Sequence, residues 1–207
     1  MSNTLLFRSA TLADRDALIA LVTSAYRGES SRVGWTTEAD LVDGPRVAPE
    51  VLEADLTRPR SVVVIAERDE QPQFASAPEP SSLATVRRLV ACAHVCDEGD
   101  AGYFGMFAVD PQQQGVGVGD AVLAECERIA RDEWALPAMR MTVIDIRDEL
   151  IAWYERRGYS RTGIKKPFPY GDVRFGHPTR NDLRFEVLEK PLLPQAQSTT
   201  QPAKDHP

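Results

Sequence analysis

Apolar residues along this chain recur with two different periods, and the alternation between them predicts a mixed α/β domain. β-branched residues dominate Ser61–Ala66, which is typical of a buried strand. Helical spacing of apolar residues from Ala121 to Trp134 predicts an amphipathic helix. The other predicted strands are Leu5–Arg8, Thr85–Cys96, Tyr103–Val109, Met139–Ile144, one that begins at Tyr159, and Leu183–Leu188. The other predicted helices are one capped by Thr11 and stopped by Gly28, then Pro49–Leu56 and Asp148–Arg156.

Two connections indicate how these strands pair. Residues 97–102 form a turn too short for a crossover, so the strands on either side predict an antiparallel hairpin. The strand Tyr103–Val109, the next helix and the strand Met139–Ile144 instead predict a βαβ unit with parallel strands. The sequence therefore predicts one mixed sheet with helices on its faces.

One domain is expected to span residues 1–192, because a chain of 207 residues is long enough for one substantial core and short for two. Within it, residues 68–82 are rich in proline, serine and acids and predict an exposed insertion. Lys165–Arg180 predicts a long loop. Residues 193–207 have too little apolar surface to offset the entropy of ordering and predict a disordered tail.

The charge and the composition narrow the class of protein. A formal net charge of −7 and a pI near 5.1 argue against a nucleic-acid partner. No apolar run approaches the roughly 20 residues of a membrane span, and the N-terminus lacks the pattern of a secretion signal. Three cysteines fit a reducing compartment better than a disulfide framework. A cytoplasmic location without membrane contact is therefore expected.

A glycine-rich loop joins the strand Tyr103–Val109 to the following helix. Gly115, Gly117 and Gly119 let the backbone turn tightly and approach a ligand, and the helix N-terminus adds unpaired N–H groups, so the loop suits a phosphate. A dinucleotide-binding loop and a purely structural turn are the alternatives. The spacing G-x-G-x-G is one residue short of the dinucleotide pattern, and roughly a hundred residues of α/β structure precede it, which argues against the first alternative.

Two motifs resemble the GNAT superfamily of acyl-CoA N-acyltransferases. The stretch Gln114–Gly119 resembles the family's cofactor motif, in which Gln or Arg precedes spaced glycines between a strand and a helix. The stretch Leu150–Tyr159 resembles a second motif, in which Tyr154 is followed four residues later by Gly158 and an aromatic residue. The order of elements from about residue 5 to residue 190 also fits. The resemblance implies a mixed, mostly antiparallel twisted sheet with helices on both faces.

The resemblance also implies a reaction, the transfer of an acetyl group from acetyl-CoA to a primary amine without a metal or a covalent enzyme intermediate. The loop backbone would contact the coenzyme A pyrophosphate, and the pantetheine arm would lie along the preceding strand. The backbone N–H of Val109 would stabilise the oxyanion, and the phenol of Tyr154 would protonate the departing thiolate. The implied cofactor contacts are Phe107, Ala108, Val109, Gln114, Gly115, Val116, Gly117, Val118 and Gly119.

Several other side chains have competing interpretations. Arg147 stands where many members of that family carry Asn; it would reach a cofactor phosphate or stay solvated, and we prefer the second interpretation. His94 shares a predicted strand face with Cys92 and Cys96, while Cys126 lies on a helical apolar stripe. We expect these four to pack in the core rather than to bind a metal or act as nucleophiles, so the general base is unassigned.

The acceptor is less well defined. A small amine, an amino acid and a peptide amine are all compatible with the sequence, as is a homodimer. Acids beside aromatic rings would suit an ammonium group. The candidate pocket residues of this kind are Trp35, Glu38, Asp40 and Asp43, together with Phe168, Tyr170 and Phe175 in the late loop. An acyl-CoA-binding sensor without turnover is the alternative function, followed by a dinucleotide-dependent oxidoreductase.

Overall fold

The computed structural model describes residues 4–70 and 86–193. The strands are β1 Leu6–Ser9, β2 Val42–Asp43, β3 Ser61–Glu70, β4 Val86–Asp97, β5 Gly102–Val109, β6 Ala138–Ile144, β7 Ser160–Pro167, β8 His177–Pro178 and β9 Arg184–Pro191. The α-helices are α1 Arg15–Tyr26, α2 Gly28–Ser31, α3 Pro49–Thr57, α4 Val118–Arg128 and α5 Asp148–Glu155. Short 3₁₀ turns cover Leu12–Asp14, Pro111–Gln113 and Val173–Phe175, and a π-helical turn over Ile129–Glu133 continues α4.

Seven of these strands form one sheet in the order β1-β3-β4-β5-β6-β9-β7. Neighbours in this sheet run antiparallel except β5 and β6, which are parallel and are joined through α4. The predicted hairpin of β4 and β5 and the predicted βαβ unit are therefore both confirmed. The mostly antiparallel sheet is also confirmed.

A gap opens between β5 and β6 because their pairing is short. Residues Gly102 to Phe104 pair with β6, and beyond Phe104 the two strands no longer pair. On its other side β5 pairs with β4 through a bulge, where the register passes from Gly105 to Ala108. Met106 lies in this bulge with φ 45°, a backbone conformation that is uncommon for a residue other than glycine. A bulge bends its strand, so β5 turns away from β6 at this point.

The core lies on both faces of the sheet. Side chains of α4 and α5 pack on one face, and side chains of α1 and α3 pack on the other. Neighbouring strand residues divide between the faces, as Val64 and Ile65 do on β3. Cys126 is fully buried in the first cluster and Cys92 in the second, so the expectation that they are core residues is confirmed.

Element boundaries differ from the prediction in several places. β3 runs through Glu70 and pairs with β4, so residues 68–70 are strand rather than the start of an exposed insertion. β7 extends through Pro167, and the two-residue strand β8 pairs with β2, so the predicted loop Lys165–Arg180 is partly sheet. Long-range pairing stabilises these strands, and no local pattern reports it. The rest of the predicted insertion and residues 194–207 of the predicted tail lie outside the described residues.

Within residues 4–70 and 86–193, none of the helices combines the length and the apolar character that crossing a bilayer requires.

We predict that Ile151→Ala will destabilise the fold by about 2–5 kcal/mol, because Ile151 is fully buried and its truncation leaves a cavity. Urea unfolding monitored by circular dichroism measures this loss. The matched control is Ile164→Ala, since the Ile164 side chain is 57% exposed and its truncation should change the free energy of unfolding by less than about 0.5 kcal/mol. Equal losses for the two variants would contradict the placement of α5 against the sheet.

Candidate active site

The gap between β5 and β6 leads into two cavities. The first, which we call the groove, has a volume of about 590 Å³ and lies between the glycine loop, α5 and the segment at Trp35 and Thr36. The second, which we call the inner cavity, has a volume of about 500 Å³ and is bordered by β5, β6 and the loop after β7. Tyr26, Phe107 and Leu150 line both, so the two cavities meet at these side chains.

The glycine loop presents backbone donors to the groove. Gly115 and Gly117 have φ of +81° and +85°, conformations that glycine adopts without strain. The N–H groups of residues 115–117 have no backbone or side-chain acceptor in the described part of the chain. Gly117 is the N-cap of α4, whose first N–H groups have no intrahelical acceptor. The loop therefore has the free donors and the dipole end that an anionic group requires.

The side chain of Gln114 holds the loop in place. Its oxygen accepts a hydrogen bond from the backbone N–H of Trp35 at 3.0 Å, and its Nε2 donates to Thr36 Oγ1 at 2.9 Å and to the carbonyl of Val109 at 3.2 Å. Gly34 is required beside it, because an added Cβ would lie 2.7 Å from Gln114 Oε1. Gln114 thus links the loop to the segment after α2, a contact across 79 residues that the sequence motif does not reveal.

Two carbonyl groups at the free edge of β5 already have partners. The Tyr26 hydroxyl donates to the carbonyl of Phe107, and Gln114 donates to that of Val109. In a strand the N–H and C=O of one residue point to the same side. The N–H of Val109 therefore points toward the edge that β6 leaves open.

An aromatic surface lines the middle of the groove. The ring of Trp153 lies 6.4 Å from that of Trp35 and 6.0 Å from that of Phe107, measured between centroids. Gly119 allows α4 to approach this surface, since an added Cβ would lie 3.2 Å from Phe107 Cζ. Arg157 stacks on Trp153, with its guanidinium carbon 3.5 Å from the ring centroid.

The predicted cofactor contacts divide into two groups. Those that line the groove are Phe107, Val109, Gln114, Gly115, Gly117 and Gly119. Ala108 and Val118 do not line it, because their side chains are buried in the two core clusters, and Val116 does not line it because its side chain is 59% exposed at the surface. Groove residues that were not among the predicted cofactor contacts include Tyr26, Thr36, Trp153, Arg156 and Arg157.

Tyr154 lies where β5 and β6 separate. Its ring makes edge contacts with Phe104, the last β5 residue paired with β6, and with Trp153 and Tyr159. It is buried, lines the inner cavity, and has its pKa raised well above the ordinary value by that burial. The phenol is therefore protonated at neutral pH and is available as a donor rather than as a base.

Arg147 is neither solvated nor directed into the groove. Only 10% of its side chain is exposed; Nη1 donates to Glu38 Oε1 at 2.8 Å, and Nη2 donates to the carbonyl of Thr36 at 2.6 Å. The preferred interpretation of Arg147 as a solvated side chain is therefore wrong. Arg147 is buried because it pairs with the buried carboxylate of Glu38, which lies 109 residues away in the chain. No local sequence pattern could indicate this partner.

Glu38 is the centre of a buried charge cluster, which we call the Glu38 cluster and which comprises Glu38, Arg27, Arg46 and Arg147. Its carboxylate contacts Arg27 at 2.8 Å, Arg46 at 3.3 Å and Arg147 at 2.8 Å. Burial raises the pKa of Glu38, but the three guanidinium groups lower it by more, so it is ionised. Glu38 lines the inner cavity, as expected of an acceptor-pocket residue, and its carboxylate already has three cationic partners.

The other candidate acceptor residues are dispersed. Trp35 lines the groove, while Phe168 and Phe175 line the inner cavity. Asp40 pairs with Arg32 at the surface, and Asp43 is exposed in β2. The hydroxyl of Tyr170 accepts a hydrogen bond from the backbone N–H of Leu183 and lines neither cavity.

His94 is buried at the far end of the inner cavity. Its Nε2 lies 2.8 Å from Ser61 Oγ, and its Nδ1 lies 3.6 Å from a carboxylate oxygen of Asp55. Burial lowers the pKa of His94, so the ring is neutral at neutral pH. The described residues contain no group of three or more His, Cys, Asp or Glu side chains placed to hold a metal ion.

Comparison with known proteins identifies the domain. A model of the acetyltransferase (GNAT) domain matches residues 59–161. A search of curated proteins finds no match. Among solved structures, a ribosomal-protein-alanine N-acetyltransferase from Brucella melitensis is similar, with 21% identity, a TM-score of 0.60 and coverage of 90% of this chain and 99% of that chain. A ribosomal-protein-S18-alanine N-acetyltransferase from Escherichia coli has 14% identity, a TM-score of 0.58 and coverage of 94% and 98%, respectively.

At these identities the solved structures establish a shared fold, and the domain match establishes the family. The matched residues include β5, the glycine loop, α4 and α5, which border the groove, whereas Tyr26, Trp35 and Thr36 of the groove lie outside the match. This chain belongs to the GNAT acetyltransferases.

Proposed function

We propose that this protein transfers an acetyl group from acetyl-CoA to a primary amine. The observation that carries the proposal is the juxtaposition of unpaired loop N–H groups, an open strand edge and a protonated buried tyrosine around one gap in the sheet. The groove would take the coenzyme and the inner cavity the amine. The two substrates would meet at Tyr26, Phe107 and Leu150, which line both cavities.

The glycine loop would bind the pyrophosphate of the coenzyme. The free N–H groups of residues 115–117 and the N-terminus of α4 supply donors. Arg156 and Arg157 line the same groove; Arg157 is paired with Asp120, and Arg156 would place positive charge near phosphate groups. The shared fold with the acetyltransferases of known structure supports this assignment.

The open edge of β5 would receive the pantetheine arm in the manner of an added strand. In this arrangement the acetyl carbonyl would lie beside Val109, whose N–H faces the gap and would donate to the oxyanion. Because a backbone donor is held in place by the sheet, it needs no reorganisation when negative charge develops.

Tyr154 would complete the reaction by protonating the leaving group. A neutral amine attacks the thioester carbonyl, a C–N bond forms, and the C–S bond breaks to release a thiolate. The thiolate takes the phenolic proton, and the amine loses its extra proton to a base or to water. Burial raises the pKa of Tyr154, so the phenol carries its proton at neutral pH, and its place where β5 and β6 separate is what supports the role.

A binding protein without turnover is the second candidate. Arg147 occupies the position at which many relatives carry Asn, and its guanidinium is engaged by Glu38 and Thr36. The absence of that Asn and the lack of an assigned general base support this candidate, whereas Tyr154 argues against it.

We expect acetyl-CoA to raise the melting temperature and a panel of primary amines to release free coenzyme A thiol from it. Thermal shift measures the first effect, and a thiol reagent with mass spectrometry of the acetylated amine measures the second. Stabilisation without thiol release across the whole panel would favour the sensor. Absence of any stabilisation by acetyl-CoA would contradict both candidates.

Tyr154→Phe should lower kcat by about 10²-fold or more, because it removes the proton donor while it keeps the ring packing. Single-turnover kinetics measures the chemical step, and acetyl-CoA affinity should change little. The control is Tyr159→Phe, because Tyr159 belongs to the same aromatic cluster but lines neither cavity. Its hydroxyl instead donates to Glu127 at 2.9 Å. An unchanged rate in Tyr154→Phe with chemistry rate-limiting would exclude Tyr154 from the mechanism.

Gly117→Val should weaken acetyl-CoA binding at least about tenfold, because valine disfavours the φ of +85° that directs the loop N–H groups. Isothermal titration calorimetry measures the dissociation constant. Gly99→Val is the matched control, since Gly99 has φ of +95° and equally open surroundings but lies in the turn between β4 and β5. If both variants bind acetyl-CoA as the wild type does, the loop is not the coenzyme site.

A further inference from the structure

The inner cavity has a charge opposite to that of the whole protein. The chain carries a formal net charge of −7, yet five basic and three acidic side chains line this cavity. Of the three acids, Glu38 lies among the arginines near Tyr26, whereas Asp55 lies beside His94. The part near Tyr26 is therefore strongly positive.

The Glu38 cluster is the source of this positive charge. One carboxylate faces three guanidinium groups, so the cluster keeps an excess of two positive charges. Only 6% of the Arg27 side chain and 10% of the Arg147 side chain are exposed. Buried charges without counter-ions cost free energy, so a cluster of this composition is one that an anion would stabilise.

Arg46 is the member of the cluster whose terminal nitrogen atoms are free, whereas the unpaired donor of Arg27 is its buried Nε. Arg27 and Arg147 donate to Glu38 and to backbone carbonyls, namely those of Tyr26 and Thr36. Nη1 and Nη2 of Arg46 have no acceptor within residues 4–70 and 86–193, and its side chain is 29% exposed where it lines the inner cavity. The planar pair of nitrogen atoms matches the two oxygens of a carboxylate.

The position of Arg46 relates this free end to the reaction. Its guanidinium carbon lies 5.1 Å from the centroid of the Tyr26 ring, and Tyr26 donates to Phe107 where the two cavities meet. An anion held by Arg46 would therefore lie close to the place where the two cavities meet. Two further cations line the cavity outside the cluster: Arg174 is already paired with both carboxylate oxygens of Asp172, and Lys166 lies on β7 with an exposed side chain.

We infer that the acceptor is a small amino carboxylate, such as a free amino acid, whose carboxylate binds Arg46 in the inner cavity. The inference rests on the proposed function, because it names the class of amine that the transfer uses. The Glu38 cluster supplies the fixed positive charge, and Glu38, Arg27 and Arg147 hold Arg46 in position. An amine without an anionic group would leave the Arg46 donors unpaired and would bind more weakly.

The test compares amino acids with their carboxamides and with the corresponding amines that lack the carboxyl group. For the wild type, kcat/KM should be about 10- to 100-fold higher for the amino acid than for either neutral analogue. In Arg46→Gln this preference should disappear, chiefly through a higher KM. Arg46→Lys keeps the positive charge but not the paired donors, so it should retain part of the preference for the amino acid. Arg32→Gln, a change at a surface pair with Asp40, is the control and should leave the preference intact.

Equal kcat/KM for the charged and neutral members of each set in the wild type would overturn the inference while the transfer itself stood. A preference for amino acids that persists in Arg46→Gln would also overturn it. Calorimetric titration of the N-acetyl amino acid into the protein saturated with coenzyme A tests the same site without turnover. If coenzyme A binds but no amine releases thiol, the proposed function fails, and this titration in wild type and Arg46→Gln still decides the inference.

Discussion

The separation of β5 from β6 beyond Phe104 is the constraint on which the rest of the site depends. A parallel pair that continued to Val109 would have satisfied the backbone of β5 and closed the gap between the cavities. The bulge at Met106 prevents that continuation by bending β5 while β4 stays paired with it. The cost of an uncommon backbone conformation at Met106 is offset by extensive pairing of β4 on both sides.

Three elements converge on this gap from distant parts of the chain. α1 supplies Tyr26, whose hydroxyl meets the carbonyl of Phe107, and α5 supplies Tyr154 at the point of separation. The glycine loop follows β5 directly, and Gln114 fastens it to the segment at Trp35 and Thr36. The groove and the inner cavity therefore lie on two sides of the gap between β5 and β6, with Tyr26 between them.

The Glu38 cluster gives the two cavities different characters. Aromatic rings and backbone N–H groups line the groove, whereas guanidinium groups give the inner cavity its positive charge. Because Glu38 is shared among three arginines, the cluster both orders the segment after α2 and leaves Arg46 with unpaired donors. One buried carboxylate thus links the folding of this segment to the charge of the inner cavity.

The sequence by itself determined the elements whose signals are local. Glycine spacing defined the loop, and β-branched and apolar runs defined the central strands. The short turn after Cys96 indicated the antiparallel pairing of β4 with β5, and the helix after the loop indicated the parallel pairing of β5 with β6. The family motifs also identified Tyr154. These features depend on residues close together in the chain, where backbone geometry and hydrophobic periodicity act directly.

Only the tertiary structure decided the partners of charged and polar side chains. Arg147 and Glu38 are 109 residues apart in the chain. Their pairing buries an arginine that the sequence predicted to be solvated, together with a carboxylate that it offered as a contact for an ammonium group. The extension of β3 to Glu70 and the pairing of β2 with β8 likewise depend on distant strands. The partners of charged side chains and the pairing of edge strands depend on which distant segments the fold brings together. The residue pattern within one segment does not indicate which other segment it will contact.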